Sequence, residues 1–166
     1  MGSDKMKNQL KNLEKPELID LISKLSKLNK ENNAFLQSNL YQDFDKLFEL
    51  SCKKIDKAFC CFELMSLKDA RTALIDFKKA NPKNSELIKL YLYYIQSAHD
   101  LEKTSWRFQE NFYQAIENVF KMIIEIIKTN LALKEEYNKK VQEIIKQANE
   151  GWGHQETLKE IYKSIK

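Results

Sequence analysis

Between Phe112 and Ile127 the chain repeats one pattern almost without interruption. Phe112, Ala115, Ile116, Val119, Phe120, Ile123, Ile124 and Ile127 recur at steps of three and four residues. That spacing puts every apolar side chain on one face of an α-helix and would scatter them over both faces of a strand. Lys121, Glu125 and Lys128 fall between them at helical spacing. The segment therefore predicts a helix turned toward a core and not a membrane span.

The same periodicity recurs along the chain. Leu18, Ile19, Leu21, Ile22, Leu25 and Leu28 form a stripe after Pro16, which suits the first turn of a helix. A short helix is expected before Lys15. A further turn or two is expected over Ala34–Leu40, after the polar connection "NKENN". Phe44, Leu47, Phe48, Cys52, Ile55, Phe59 and Phe62 predict one helix over Asp43–Phe62. Ser66 is a natural N-cap for the next, which must stop near Asn81 because Pro82 disfavours α conformation before it. Ser85 is expected to cap a central helix carrying Leu87, Ile88, Tyr91, Leu92, Tyr94, Ile95 and Ala98. "TSWRF" reads as a corner, and Asn130 as a break. Tyr137, Val141, Ile144, Ile145 and Ala148 mark the next helix; Leu158, Ile161, Tyr162 and Ile165 mark the last.

No segment alternates with period two, and 3 glycines with 2 prolines are too few for a turn-rich β protein. The hydrophobic share of 43% with 31% charged residues fits a folded core with Lys/Glu surfaces. The expectation is all-α: one compact array of about seven helices arranged as antiparallel hairpins. "MGSDK" (residues 1–5) reads as a cloning remnant, and 6–166 as a single helical domain.

The 28 basic and 24 acidic side chains are interspersed, giving a net charge of +4. Only Arg71 and Arg107 are arginine, the preferred reader of phosphates and guanine edges, which disfavours nucleic-acid binding. "LKNLEKPELIDLISKL" resembles the short helix-loop-helix modules that bind DNA, as any small amphipathic helical hairpin would. Weak binding through lysine-rich helix faces is thus the third choice. Tyr91, Tyr93 and Tyr94 could stack bases, but Tyr91 and Tyr94 lie on the apolar stripe, which makes them core. Membrane partners are not expected: no apolar run is long enough to span.

Cys52, Cys60 and Cys61 are odd in number and show no zinc spacing. They are expected to be small buried hydrophobes in a reducing cytoplasm. No Glu precedes His99 or His154 by three residues, and no His-Glu-x-x-His is present, so no metal and no cofactor is expected. Nor is there a P-loop, a G-x-S-x-G or a G-x-G-x-x-G. No catalytic residue is assigned. The candidate ligand or partner contacts are Trp106, Arg107, Trp152, His154 and His99.

Gly151 and Gly153 flank Trp152 in "EGWGHQETL". The reading is a structural corner. Gly151 would close a helix over Leu131–Glu150 in the left-handed conformation. Gly153 would cap the last helix, with Glu156 returning a hydrogen bond. Trp152 would turn inward to pin that helix.

"LKNLEKPELIDLISKL", "SLKDARTALIDFKKA", "LIKLYLYYIQSA", "FYQAIENVFKMII" and "GWGHQETLKEIY" together span almost the whole chain. In their order the chain resembles an uncharacterised bacterial family of cytoplasmic, all-helical proteins with a Gly-Trp-Gly element before the last helix. That family's pattern carries one further aromatic residue between the positions of Gly153 and His154. The resemblance implies a helical domain in a bacterial cytoplasm and no activity. The functional expectation is a non-enzymatic helical scaffold that binds a partner protein or forms a homo-oligomer. The alternative is a small-molecule-binding or enzymatic domain using His154 and His99.

Overall fold

The computed structural model describes residues 2–164, so the apolar position expected at Ile165 lies outside the described residues. Among these residues there are nine α-helices and no strand. They are α1 (Gly2–Lys11), α2 (Lys15–Leu28), α3 (Lys30–Tyr41), α4 (Asp45–Ala58), α5 (Leu67–Lys79), α6 (Asn84–Glu102), α7 (Glu110–Lys128), α8 (Leu131–Gln147) and α9 (His154–Lys163). Short 3-10 turns lie at Phe62–Leu64 and Gly151–Gly153. The all-helical class is as expected; the count of about seven is too low.

The extra length lies near the N-terminus. Asn29 is the N-cap of α3, its Oδ1 accepting from the Asn32 N–H at 2.7 Å. "NKENN" therefore opens a helix of 12 residues instead of connecting two. A polar run and a capped first helical turn have the same composition, and only the cap geometry separates them. Further along, Ser66 caps as expected, its Oγ accepting from Asp69 N–H at 3.2 Å, and the break expected at Asn130 is the N-cap of α8, Asn130 Oδ1 accepting from Leu133 N–H at 3.2 Å. Ser85 does not cap: α6 starts two residues earlier than that cap implies, with Lys83 at its N-cap.

The chain divides into two compact units, Met1–Leu47 and Phe48–Lys166. In the first, α2 and α3 pack on each other, and the Asn32 amide donates to the Leu25 carbonyl at 3.0 Å. Pro16 occupies the first turn of α2, whose start is fixed by the Glu14 N–H donating to Glu17 Oε2 at 2.8 Å. Yet α2 has no buried residue. Its stripe stands in water, from Ile19 (56% exposed) to Leu28 (72%).

In the second unit α7 is the centre. It packs on α6, α8 and α9, while α6 also meets α5 and α8. The helices are therefore not a row of antiparallel hairpins, since α7 with α9 and α6 with α8 each skip a neighbour. The cause is the width of the apolar faces. Nine residues of α6 and eight of α7 are buried, and such broad faces need cover from several directions. Tyr91 and Tyr94 are core, as their place on the stripe implies.

The helix expected over Asp43–Phe62 ends at Ala58, whose carbonyl accepts from the Ser66 N–H at 2.9 Å as the chain turns back. Cys60 and Cys61 then lie outside the helix. Cys52 is buried as expected, and burial, then Asp56, pushes its thiol up to about 11. Cys60 is exposed and Cys61 half-buried, with their sulfurs 3.9 Å apart, which corrects the expectation of three buried thiols.

Candidate functional site

The two histidines, 55 positions apart in sequence, meet inside the second unit. His99 sits on the buried face of α6 and His154 is the first residue of α9. Their ring centroids are 5.9 Å apart, edge to face. Both are fully enclosed. The ring of Tyr113, from α7, lies 5.1 Å from His154. One turn on, Glu117 Oε1 is 2.9 Å from His154 Nδ1. A carboxylate only accepts, so this contact puts a proton on Nδ1 and leaves Nε2 with the lone pair when the ring is neutral.

The cluster is only partly satisfied. His99 Nδ1, His99 Nε2, His154 Nε2 and Glu102 Oε1 are buried and have no protein hydrogen-bond partner among the described residues. Each such group costs about 1–3 kcal/mol if nothing else meets it. Burial first, then the neighbouring His154 and Lys103, holds the His99 imidazole down at about 4. Burial raises the Tyr113 phenol well above its ordinary value, and its hydrogen bond to the Glu102 carboxylate adds to this. The arrangement thus favours a neutral His99 and an un-ionised Tyr113 at neutral pH. Among the described residues, no three His, Cys, Asp or Glu side chains are grouped so as to hold a metal ion.

Glu102, Tyr113 and Glu117 were missed in the sequence. The signal was present in spacing: Glu102 follows His99 by three residues and Glu117 follows Tyr113 by four, each pair on one helix face. What sequence lacks is any sign that α9 delivers His154 to the same place.

The corner before α9 differs from its expected form. α8 stops at Gln147, with Ala148 extended, so no helix reaches Glu150. Gly151 is not left-handed; its N–H donates to Asn149 Oδ1 at 2.8 Å. The left-handed residues are Trp152 (φ 57°) and Gly153 (φ 66°). Gly153 is the N-cap as expected, but without a side-chain cap, and Glu156 lies 3.8 Å from Lys159. Trp152 does not turn inward; it is 69% exposed. His154 holds the inner position, which leaves the indole at the outer apex.

The remaining candidates lie at the corner between α6 and α7. Trp106 is 92% exposed. Arg107 is held in place: Nη2 donates to Glu63 Oε1 at 2.7 Å, and its guanidinium carbon stands 4.4 Å over the Phe62 ring. The Glu63 carboxyl is held below its usual range by its own backbone amide first and Arg107 second. Phe108 is the residue of "TSWRF" that turns inward, 4.2 Å from the Phe112 ring.

No helix among the described residues is long and apolar enough to cross a membrane. Compared with known proteins, the chain matches no family model, no curated protein and no solved structure.

Proposed function

We propose that the protein is a non-enzymatic helical scaffold that binds a partner protein or a second copy of itself. The observation that carries this reading is α2. Its six apolar stripe residues are a complete core-facing pattern, yet none is buried. Apolar surface gathered on one helix face marks an interaction site more often than a neutral surface. The full burial of His99 and His154 supports the same reading, since neither ring is exposed at the surface. The resemblance given above would place the scaffold in a bacterial cytoplasm.

Analytical ultracentrifugation over a range of concentrations, alongside the double variant Ile22→Glu with Leu25→Glu, tests this. A concentration-dependent oligomer or a retained partner, lost in the variant, supports the scaffold. A strict monomer that retains no specific partner from a bacterial lysate removes it.

One observation favours a second reading, a small-molecule site at the histidines: four unpartnered polar atoms, from His99, His154 and Glu102, lie in one buried cluster. A ligand there would shift the histidine ring resonances and lose its affinity in His99→Phe. Unshifted rings across a panel of small polar metabolites would end that reading.

A further inference from the structure

The second unit carries an open groove that its own helices leave unfilled. α5 and α7 both pack on α6, and between them runs a cavity of about 890 Å³. Its floor is apolar, made by Leu74, Tyr91, Tyr94 and Val119, all buried. Its lips carry two more large apolar side chains, Ile75 from α5 and Met122 from α7, each more than a third exposed. The lining runs from Leu67 to Lys78 on one wall and from Asn111 to Met122 on the other. Each wall is about 16 Å long, or roughly three helical turns.

The charge around this groove has one sign. Lys68, Arg71 and Lys78 line the α5 wall and Lys121 the α7 wall, and no Asp or Glu is among the lining residues. The chain as a whole mixes 28 basic with 24 acidic side chains, so a cationic rim on an apolar trough stands apart. We infer that this groove seats an acidic amphipathic helix of about three turns from a partner protein. Its apolar face would lie on the Tyr91 and Tyr94 floor between Ile75 and Met122, and its carboxylates would reach the rim. A single strand of nucleic acid fits less well. Base stacking needs exposed ring faces, and both tyrosines are buried here while the lips are aliphatic. The inference is independent of α2, which belongs to the other unit.

The test uses the full chain and a fluorescein-labelled synthetic helix of about four turns, with Leu at steps of three and four and Glu at the outer positions. A second peptide carries Lys for every Glu. Expected are saturable binding of the acidic peptide, steep weakening with added salt, and no binding of the basic one. Arg71→Glu with Lys121→Glu, and separately Met122→Asp, should each weaken binding about tenfold or more. All three positions are exposed, so circular dichroism should show unchanged helix content. Failure of the acidic peptide to bind overturns the inference. So do equal binding of both peptides, unchanged affinity in both variants, or displacement of the peptide by a mixed-sequence oligonucleotide that itself binds more tightly.

Discussion

α2 and α7 are written in the same code and end in opposite surroundings. Both present an apolar stripe at steps of three and four residues. In α7 seven of the eight stripe residues are buried and Ala115 is half-buried, with Ile116, Phe120, Ile123 and Ile127 fully enclosed. In α2 none is buried. The difference is not in the helices but in what surrounds them. α7 lies among α6, α8 and α9, so its stripe is worth about 25 cal/mol for each Å² removed from water. The stripe of α2 gains little of that within its own chain. Periodicity reports that a helix has a face to bury; it does not report whether the chain itself provides the cover.

The sharpest way to break this comparison is to cut both stripes. Phe120→Ala in α7 should destabilise by about 3–5 kcal/mol, because it leaves a cavity in a close-packed centre. Urea unfolding followed by circular dichroism would measure it, and a loss under about 1 kcal/mol would mean that α7 is not the core described here.

Acid should act on the same unit through its polar exception. His99 is held neutral, titrating at about 4 in the fold against 6.5 in the unfolded chain. Between these values the unfolded chain binds more protons, so stability rises with pH. The contribution is complete above about pH 6.5, falls as the pH drops, and is lost by about pH 4, on the order of 3 kcal/mol in all. His99→Leu should flatten that part of the stability profile. Unfolding free energies at closely spaced pH values would check it, and an identical slope in the variant would assign the acid sensitivity elsewhere.

A smaller effect separates the two glycines of the corner. Gly153→Ala should cost about 1–2 kcal/mol, since φ is +66° and only the backbone is strained; an added Cβ meets nothing within 4 Å. Gly151→Ala should cost less. Its φ is ordinary, and the new Cβ would meet the flexible Asn149 side chain, with Oδ1 at 3.1 Å. Thermal melts of both variants would rank them, and the reverse order would contradict the geometry described for this turn.

The smallest expected effect on stability is in α2. Leu25→Ala should change the unfolding free energy of the lone chain by about 0.5 kcal/mol or less, while weakening any association through that face. Equilibrium unfolding and sedimentation of the same sample would measure both. A large loss of stability in the monomer would show that the stripe is already covered within the chain.

The helical class and the α7 stripe were legible because period and composition act locally. The Ser66 cap was legible for the same reason: a short polar side chain ahead of an apolar run can satisfy the first free N–H groups by itself. The start of α3 was not, because "NKENN" has the composition of a loop and becomes a helix only through the Asn29 cap. The corner was half legible. Two glycines around one tryptophan signalled unusual backbone, but the left-handed pair is Trp152 and Gly153. Which residues take it depends on His154 being drawn inward to Glu117, Tyr113 and His99, a contact set by three helices at once. The groove was hidden for a related reason: Arg71 and Lys121 share a rim only after α6 has placed α5 and α7 on either side of it.

One consequence follows from where the two indoles stand. Trp106 and Trp152 both face water in the folded chain, while buried tyrosines line the interior. Emission excited selectively from tryptophan should therefore begin near the wavelength of a solvated indole and shift little as the protein melts. The same two rings make a quiet background against which docking over either corner would register as a blue shift, without any label attached to the protein.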